Sequence, residues 1–240
     1  MLSRENLEKF TKLQQTSTQN VVREYCQHLF LSYLYQNPGS EKLLFKGGTA
    51  LRIILKSPRF SEDLDFTGTG ITYREIEELF TNTLANIEKT GLEVDVTEAK
   101  QTTGGYLGIA SFEAYDIKIN VQIEVSHRSR GSLKKVRMLI TSDYIPAYTL
   151  VHLPLEDIIL GKLEALVARR KPRDFYDYFF LLSGGYPAAR TKENLKKVLK
   201  LLRQENINFQ MELRKFLPVS HTMHLRNFKK VLEEKILAYL

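Results

Sequence analysis

The stretch Leu43–Phe66, LLFKGGTALRIILKSPRFSEDLDF, decides how the rest of the chain reads. A short apolar strand, Leu43–Phe45, runs into two adjacent glycines, Gly47 and Gly48. A helical segment over about 49–56 follows, then a second strand around Leu64–Phe66 that carries Asp63 and Asp65. Glycine lets backbone N–H groups approach a phosphate with no side chain between. The first turn of the following helix adds partial positive charge. Thr49 either caps that helix or donates to a phosphate. This is not a Walker loop, because no G-x-x-x-x-G-K-[ST] accompanies it.

Residues i and i+2 of a strand share a face. Asp63 and Asp65 therefore project together, while Leu64 and Phe66 pack on the other side. Two adjacent carboxylates repel unless a cation sits between them. Hard oxygen ligands on a strand suit Mg²⁺ or Mn²⁺, and Mg²⁺ is usually held by one or two carboxylates together with substrate phosphates. A two-metal site wants a further carboxylate from a neighbouring strand. In DIKINVQIEVS the residues Ile117, Ile119, Val121, Ile123 and Val125 alternate with polar ones. Glu124 lies on that polar face with Asn120 and Gln122, while Asp116 has the same parity at the far end. Asp63, Asp65 and Glu124 are the candidate metal ligands.

The chain has 240 residues, 43% hydrophobic and 26% charged, an ordinary soluble globular composition. The opening MLSRENLEKF has no apolar core, so no signal peptide is expected. No uncharged apolar run approaches the ~20 residues of a membrane span, so no membrane partner is expected. The single cysteine, Cys26, excludes an internal disulfide and suits a reducing cytoplasm; its helical, apolar surroundings point to packing. The net charge of +7 is all contributed by Arg190–Leu240, where twelve Lys/Arg face five Asp/Glu. A basic tail on a neutral body suggests a polyanionic partner, nucleic acid first; the plainer reading is a solvated helix surface. A second basic cluster, HRSRGSLKKVR, covers 127–137.

Residues 3–36 read as two helices, the second capped by Ser17 or Thr18. YREIEELFTNTLANIEKTG reads as another helix, with Gly91 as its stop. Strand-like runs follow up to VRMLI, and from Leu155 onward the period is helical. This implies an α/β (α+β) catalytic domain over 1–150 and a helical domain over 151–240, divided within IPAYTLVHLPL at 145–155. In LEDIILGKLEALVARR, Lys162 falls inside the apolar stripe of Ile158, Ile159, Leu163 and Leu166. There it snorkels to solvent or meets an anion. In KPRDFYDYFFLL, Pro172 suits a first helical turn. Asp174 reads as a first-turn carboxylate. Asp177, deeper in the helix, is left to orient Lys162 or Arg173, or to bind a nucleotide or its metal.

KGGTAL, RFSEDLDF, the helix with Lys162 and RDFYD, in that order, resemble the AbiEii/AbiGii-type nucleotidyltransferase toxins of the DNA polymerase β-like superfamily. The four motifs span residues 46–180. The resemblance implies a mixed sheet with flanking helices, followed by a C-terminal helical domain. It implies the toxin of a bacterial toxin–antitoxin or phage-defence pair, with a cognate antitoxin as a possible partner. Some members transfer nucleotides from NTP to the 3′ end of tRNA. By motif matching, Gly47, Gly48 and Thr49 form the phosphate turn, Asp63 and Asp65 hold metal, Lys162 contacts phosphates and Asp177 completes the site. Ser61 matches a motif serine open to modification, and Lys46 and Asp174, within the same motifs, join the nucleotide-binding residues. RNA, tRNA above all, is the expected acceptor, held by the basic C-terminal helices. The alternatives are a small-molecule (antibiotic-type) nucleotidyltransferase and a catalytically silent RNA- or partner-binding protein.

Overall fold

The computed structural model describes residues 2–127, 133–223 and 225–240. They divide into two compact units. One runs to Lys56 and then over Phe60–Pro154; the other combines Ser57–Arg59 with Leu155–Leu240. Residues 128–132 of the basic cluster at 127–137 lie outside the described residues.

The first unit holds α1 (Arg4–Leu13), α2 (Thr18–Leu34), β1 (Leu43–Lys46), α3 (Gly47–Leu55), β2 (Asp63–Gly68), α4 (Tyr73–Glu88), β3 (Glu93–Thr102), β4 (Gly105–Ala114), β5 (Ile117–His127), β6 (Val136–Ile140) and β7 (Tyr148–His152). The described strands form one mixed sheet in the order β3-β4-β5-β2-β1-β7-β6. β2 lies between β1, to which it is antiparallel, and β5, to which it is parallel. Local chemistry sets the ends of these elements. The Ser17 side chain accepts from Asn20 N–H at the start of α2, and Thr72 and Glu75 form a reciprocal capping box on α4. Tyr115 and Asp116, both at positive φ, make the tight turn between β4 and β5.

Alternation then decides burial. Leu64 and Phe66 on β2 are fully buried, with Phe45 and Phe66 rings 5.5 Å apart. The alternating residues of β5 from Ile119 to Val125 are buried as well. α2 packs against α4, β5 and β7. It is buried nearly all round, Asn20, Glu24, Gln27 and His28 included. Cys26 is fully buried, and burial pushes its thiol up to about 12, as suits a core residue. The stretch 145–155 is more than a domain boundary, because it contains β7. That strand is parallel to β1, with Phe45 beside His152. The Tyr35 hydroxyl lies 2.8 Å from the Leu43 carbonyl and 2.7 Å from the Val151 carbonyl, bracing both strands.

The second unit holds α5 (Leu155–Arg169), α6 (Pro172–Ser183), α7 (Lys192–Gln204), α8 (Phe209–Leu213), α9 (Val219–Thr222) and α10 (Phe228–Leu237). Its core is aromatic: Phe209 lies 5.9 Å from Phe175 and 4.9 Å from Phe228. α7 buries Leu195, Val198, Leu199 and Leu202 and exposes Lys196, Lys197 and Lys200. Among the described residues, no helix is long and apolar enough to cross a membrane.

Burial pushes the His28 imidazole down to about 4 from its ordinary 6.5; neighbouring Glu24 opposes the shift, while Lys56 and Arg52 add to it. The Tyr148 hydroxyl sits 2.8 Å from its Nδ1. The folded protein thus keeps His28 neutral where the unfolded chain takes up a proton. Its contribution is present above about pH 6.5 and is lost as pH falls toward 4, a loss on the order of 3 kcal/mol. Denaturant titrations across this range should show the loss, and His28→Gln should flatten it.

Candidate active site

The antiparallel register of β1 and β2 sets Lys46 opposite Asp65, and the parallel register of β2 and β5 sets Asp65 beside Glu124. Paired residues on neighbouring strands share a face, so these three side chains form one polar row. Asp63 lies on the same face of β2, beside Gln122. The Lys46 ammonium reaches the Ser126 hydroxyl at 2.7 Å. A concavity of about 280 Å³ is lined by Lys46, Asp65, Leu107, Glu124 and Ser126.

At the end of β1 the chain turns into α3 through Gly47, whose φ of +87° is left-handed. A Cβ at Gly47 would sit 1.9 Å from Asp65 Oδ2 and 2.7 Å from its Cβ. The Asp65 carboxylate therefore occupies the space that a side chain at residue 47 would need. Thr49 is fully buried, and its hydroxyl donates to the Asp63 carbonyl at 2.5 Å, tying the start of α3 to β2. Before β2, the Gln27 amide from α2 donates to the carbonyls of Ser61 and Glu62, both at 3.0 Å. Gln27 was not singled out from sequence; a glutamine on a helix carries no signal of which loop it will hold.

The oxygen donors of Asp63 and Asp65, on one face of one strand, are of the kind that suits a hard divalent cation. Glu124 is exposed and accepts from the Gln122 amide. Among the described residues, no group of three or more His, Cys, Asp or Glu side chains is gathered as a metal cage.

Lys162, Asp174 and Asp177 belong to the second unit. Lys162 lies on α5 with its Nζ 2.9 Å from Asp177 Oδ2. Asp177, on α6, is fully buried and also takes a two-pronged contact from Arg59, Nε to Oδ1 at 2.8 Å and Nη2 to Oδ2 at 2.9 Å. Burial alone would raise the Asp177 carboxyl; Arg59 and Lys162 outweigh it and hold it below the usual carboxylate range. Arg173, the other partner weighed for Asp177, lies 3.6 Å from Glu212 instead. Asp174 is buried too. It accepts from Arg169 at 2.7 Å and from the Lys171 N–H at 3.3 Å, which fixes the start of α6. Arg59 escaped the sequence reading because its partner lies 118 residues away.

The fold has counterparts among known structures. A crystal structure of a Helicobacter pylori protein described as a candidate nucleotidyltransferase aligns with a TM-score of 0.56 at 18% identity, over 93% of this chain and 99% of that one. The structure of JHP933 from Helicobacter pylori aligns with a TM-score of 0.57 at 18% identity, over 93% of this chain and 95% of that one. The fold is that of the nucleotidyltransferases. A comparison with curated proteins gave no match. The profile described as nucleotidyl transferase AbiEii toxin, type IV toxin–antitoxin system, matches residues 29–237. The chain belongs to the AbiEii nucleotidyl transferase toxin family.

Two glycines separate backbone strain from the close contact. Gly39 and Gly47 share a φ of +87°, but a Cβ at Gly39 meets nothing within 4 Å. Gly47→Ala should displace Asp65 and lower nucleotide incorporation roughly 100-fold, as an ångström-scale misplacement does. Gly39→Ala should cost about 1–2 kcal/mol of stability and leave incorporation unchanged. Equal activities in the two variants would remove the significance of the Gly47–Asp65 contact.

Proposed function

We propose that this nucleotidyltransferase is the toxin of a bacterial toxin–antitoxin or phage-defence pair, moving NMP from an NTP to an RNA acceptor, with the 3′ end of tRNA as the target. The observation that carries the reading is the Asp65 carboxylate lodged against Gly47, which sets acidic oxygens beside a glycine turn. Family membership supports the toxin role, and the lysines exposed along α7 support a polyanionic acceptor.

In this reading the acceptor hydroxyl attacks the α-phosphate and pyrophosphate leaves. Asp63 and Asp65 hold Mg²⁺ or Mn²⁺, with Glu124 one strand away as an exposed third carboxylate. When bound, such a cation supplies charge neutralisation at the triphosphate and a more acidic attacking hydroxyl. The backbone N–H groups at Gly47 and Gly48 bind phosphate oxygens, and Lys46 stands beside the turn. Thr49 acts by fixing the turn to β2. Alignment and fixed charges together lower the barrier.

The protein incubated with each labelled NTP, Mg²⁺ and total tRNA should place label on RNA. Asp63→Ala should abolish the label while far-UV circular dichroism and melting stay close to the parent protein. Transfer by this variant at the parent rate would refute the assignment. Binding to tRNA should weaken steeply as salt rises, and label found only on a small molecule would move the acceptor class.

A further inference from the structure

Among the described residues, β3 and β6 are the two edges of the sheet. An exposed strand edge is ready to pair with another chain, and charged side chains normally keep like edges apart. Here the two edges carry opposite signs. β6 with the residue before it reads Lys135, Val136, Arg137, Met138, and the start of β3 reads Glu93, Val94, Asp95, Val96. All four charged residues are exposed. So are three of the apolar ones, Val136 and Met138 at 38% each and Val96 at 52%. Beyond Val96 a bulge interrupts β3, and Glu98 then pairs with Lys100 on its own strand.

Cross-strand register fixes which way these residues face. Val136 lies beside His152, His152 beside Phe45 and Phe45 beside Phe66. From the other end, Val94 lies beside Phe112 and Phe112 beside Ile119, which shares the buried side of β5 with Val125, the neighbour of Phe66. Val94, Val96, Val136 and Met138 therefore share the apolar face, and Glu93, Asp95, Lys135 and Arg137 take the opposite one. The same pairings make β3 and β6 run in one direction. A second copy that prolongs the sheet from β6, with its apolar face on the same side, must then lay its β3 parallel to β6. One register in that orientation sets Lys135 beside Glu93, Val136 beside Val94, Arg137 beside Asp95 and Met138 beside Val96. Opposite charges meet on one face and apolar side chains on the other, and such neighbours across strands favour a sheet. Joining β6 to β6, or β3 to β3, would bring edges of the same sign together.

We propose that the β6 edge of one copy takes up the β3 edge of a second copy, so that this chain associates head to tail by parallel strand addition. The contact joins two different edges, so each pair of copies leaves one β6 and one β3 open, and association continues as a ring or an open series. Four residues on each side make a small contact, which belongs with transient interfaces and depends on concentration. The proposal does not depend on the nucleotidyltransferase reading.

Sedimentation of the full chain from ~10 µM to ~1 mM, the range of weak complexes, tests it. The parent protein should grow beyond the monomer across this range, less so as salt rises. Lys135→Glu combined with Arg137→Glu should weaken association at least tenfold, and so should Glu93→Lys combined with Asp95→Lys. Mixed in equal amounts, the two variants again present edges of opposite sign and should associate within a few-fold of the parent. Melting curves check that both fold. If either does not, Arg137→Glu and Asp95→Lys as single substitutions take their place in the same mixing. A parent that stays monomeric to ~1 mM overturns the proposal, as do variants that associate like the parent or a mixture that stays as weak as its components. Binding to tRNA is measured alongside. Loss of tRNA binding in the Arg137→Glu protein with self-association unchanged would give this edge to nucleic acid and overturn the pairing of copies.

Discussion

The contact between the Asp65 carboxylate and the bare Cα of Gly47 is the constraint on which the first unit is arranged. It requires a left-handed backbone at residue 47 and no side chain there. It also requires the β1–β2 register that sets Lys46 opposite Asp65. A one-residue slip would turn both aspartates into the core and bring Leu64 and Phe66 out. The buried faces of those two residues are therefore what keep the acidic face turned the right way. Thr49 and Gln27 add backbone ties on either side of β2. Most of the precision comes from main-chain geometry rather than from flexible side chains.

The second unit handles charge differently. Two of its acidic residues are buried and committed, Asp177 to Arg59 and Lys162 and Asp174 to Arg169 and the start of α6. Buried ion pairs of this kind add little net stability compared with apolar packing, but losing one partner typically costs about 3–5 kcal/mol. A cluster that is costly to disturb and gains little for the fold makes sense where its charge has a use. The exposed carboxylate of Glu124 and the exposed lysines of α7 are at the other extreme, cheap to move and easily screened.

Features encoded by local pattern were legible in the sequence. The glycine turn, the alternation that places Asp63 with Asp65 and Glu124 on the polar face of β5, the Ser17 cap and the helical tail all follow from periods and turn chemistry over a few residues. β7 was obscured because Tyr148–His152 falls within the stretch 145–155 that reads as the boundary between domains; only pairing with β1 makes it a strand. The buried polar residues of α2 were illegible for a similar reason. Glu24, Gln27 and His28 look solvent-facing until Arg52, the Ser61–Glu62 backbone and Tyr148 cover them. Arg59 was hidden most deeply, since nothing near SPRF announces a carboxylate on a helix more than a hundred residues later.

The three residues Ser57–Arg59 have a consequence for how this chain can be divided or inherited. A cut after Pro154 would give a C-terminal fragment in which the buried Asp177 has lost its guanidinium partner. Recombination at a single junction would likewise transplant an unbalanced helical half into a new host. The sheet-bearing half therefore carries a small part of its companion within its own sequence, and the two are bound to travel together.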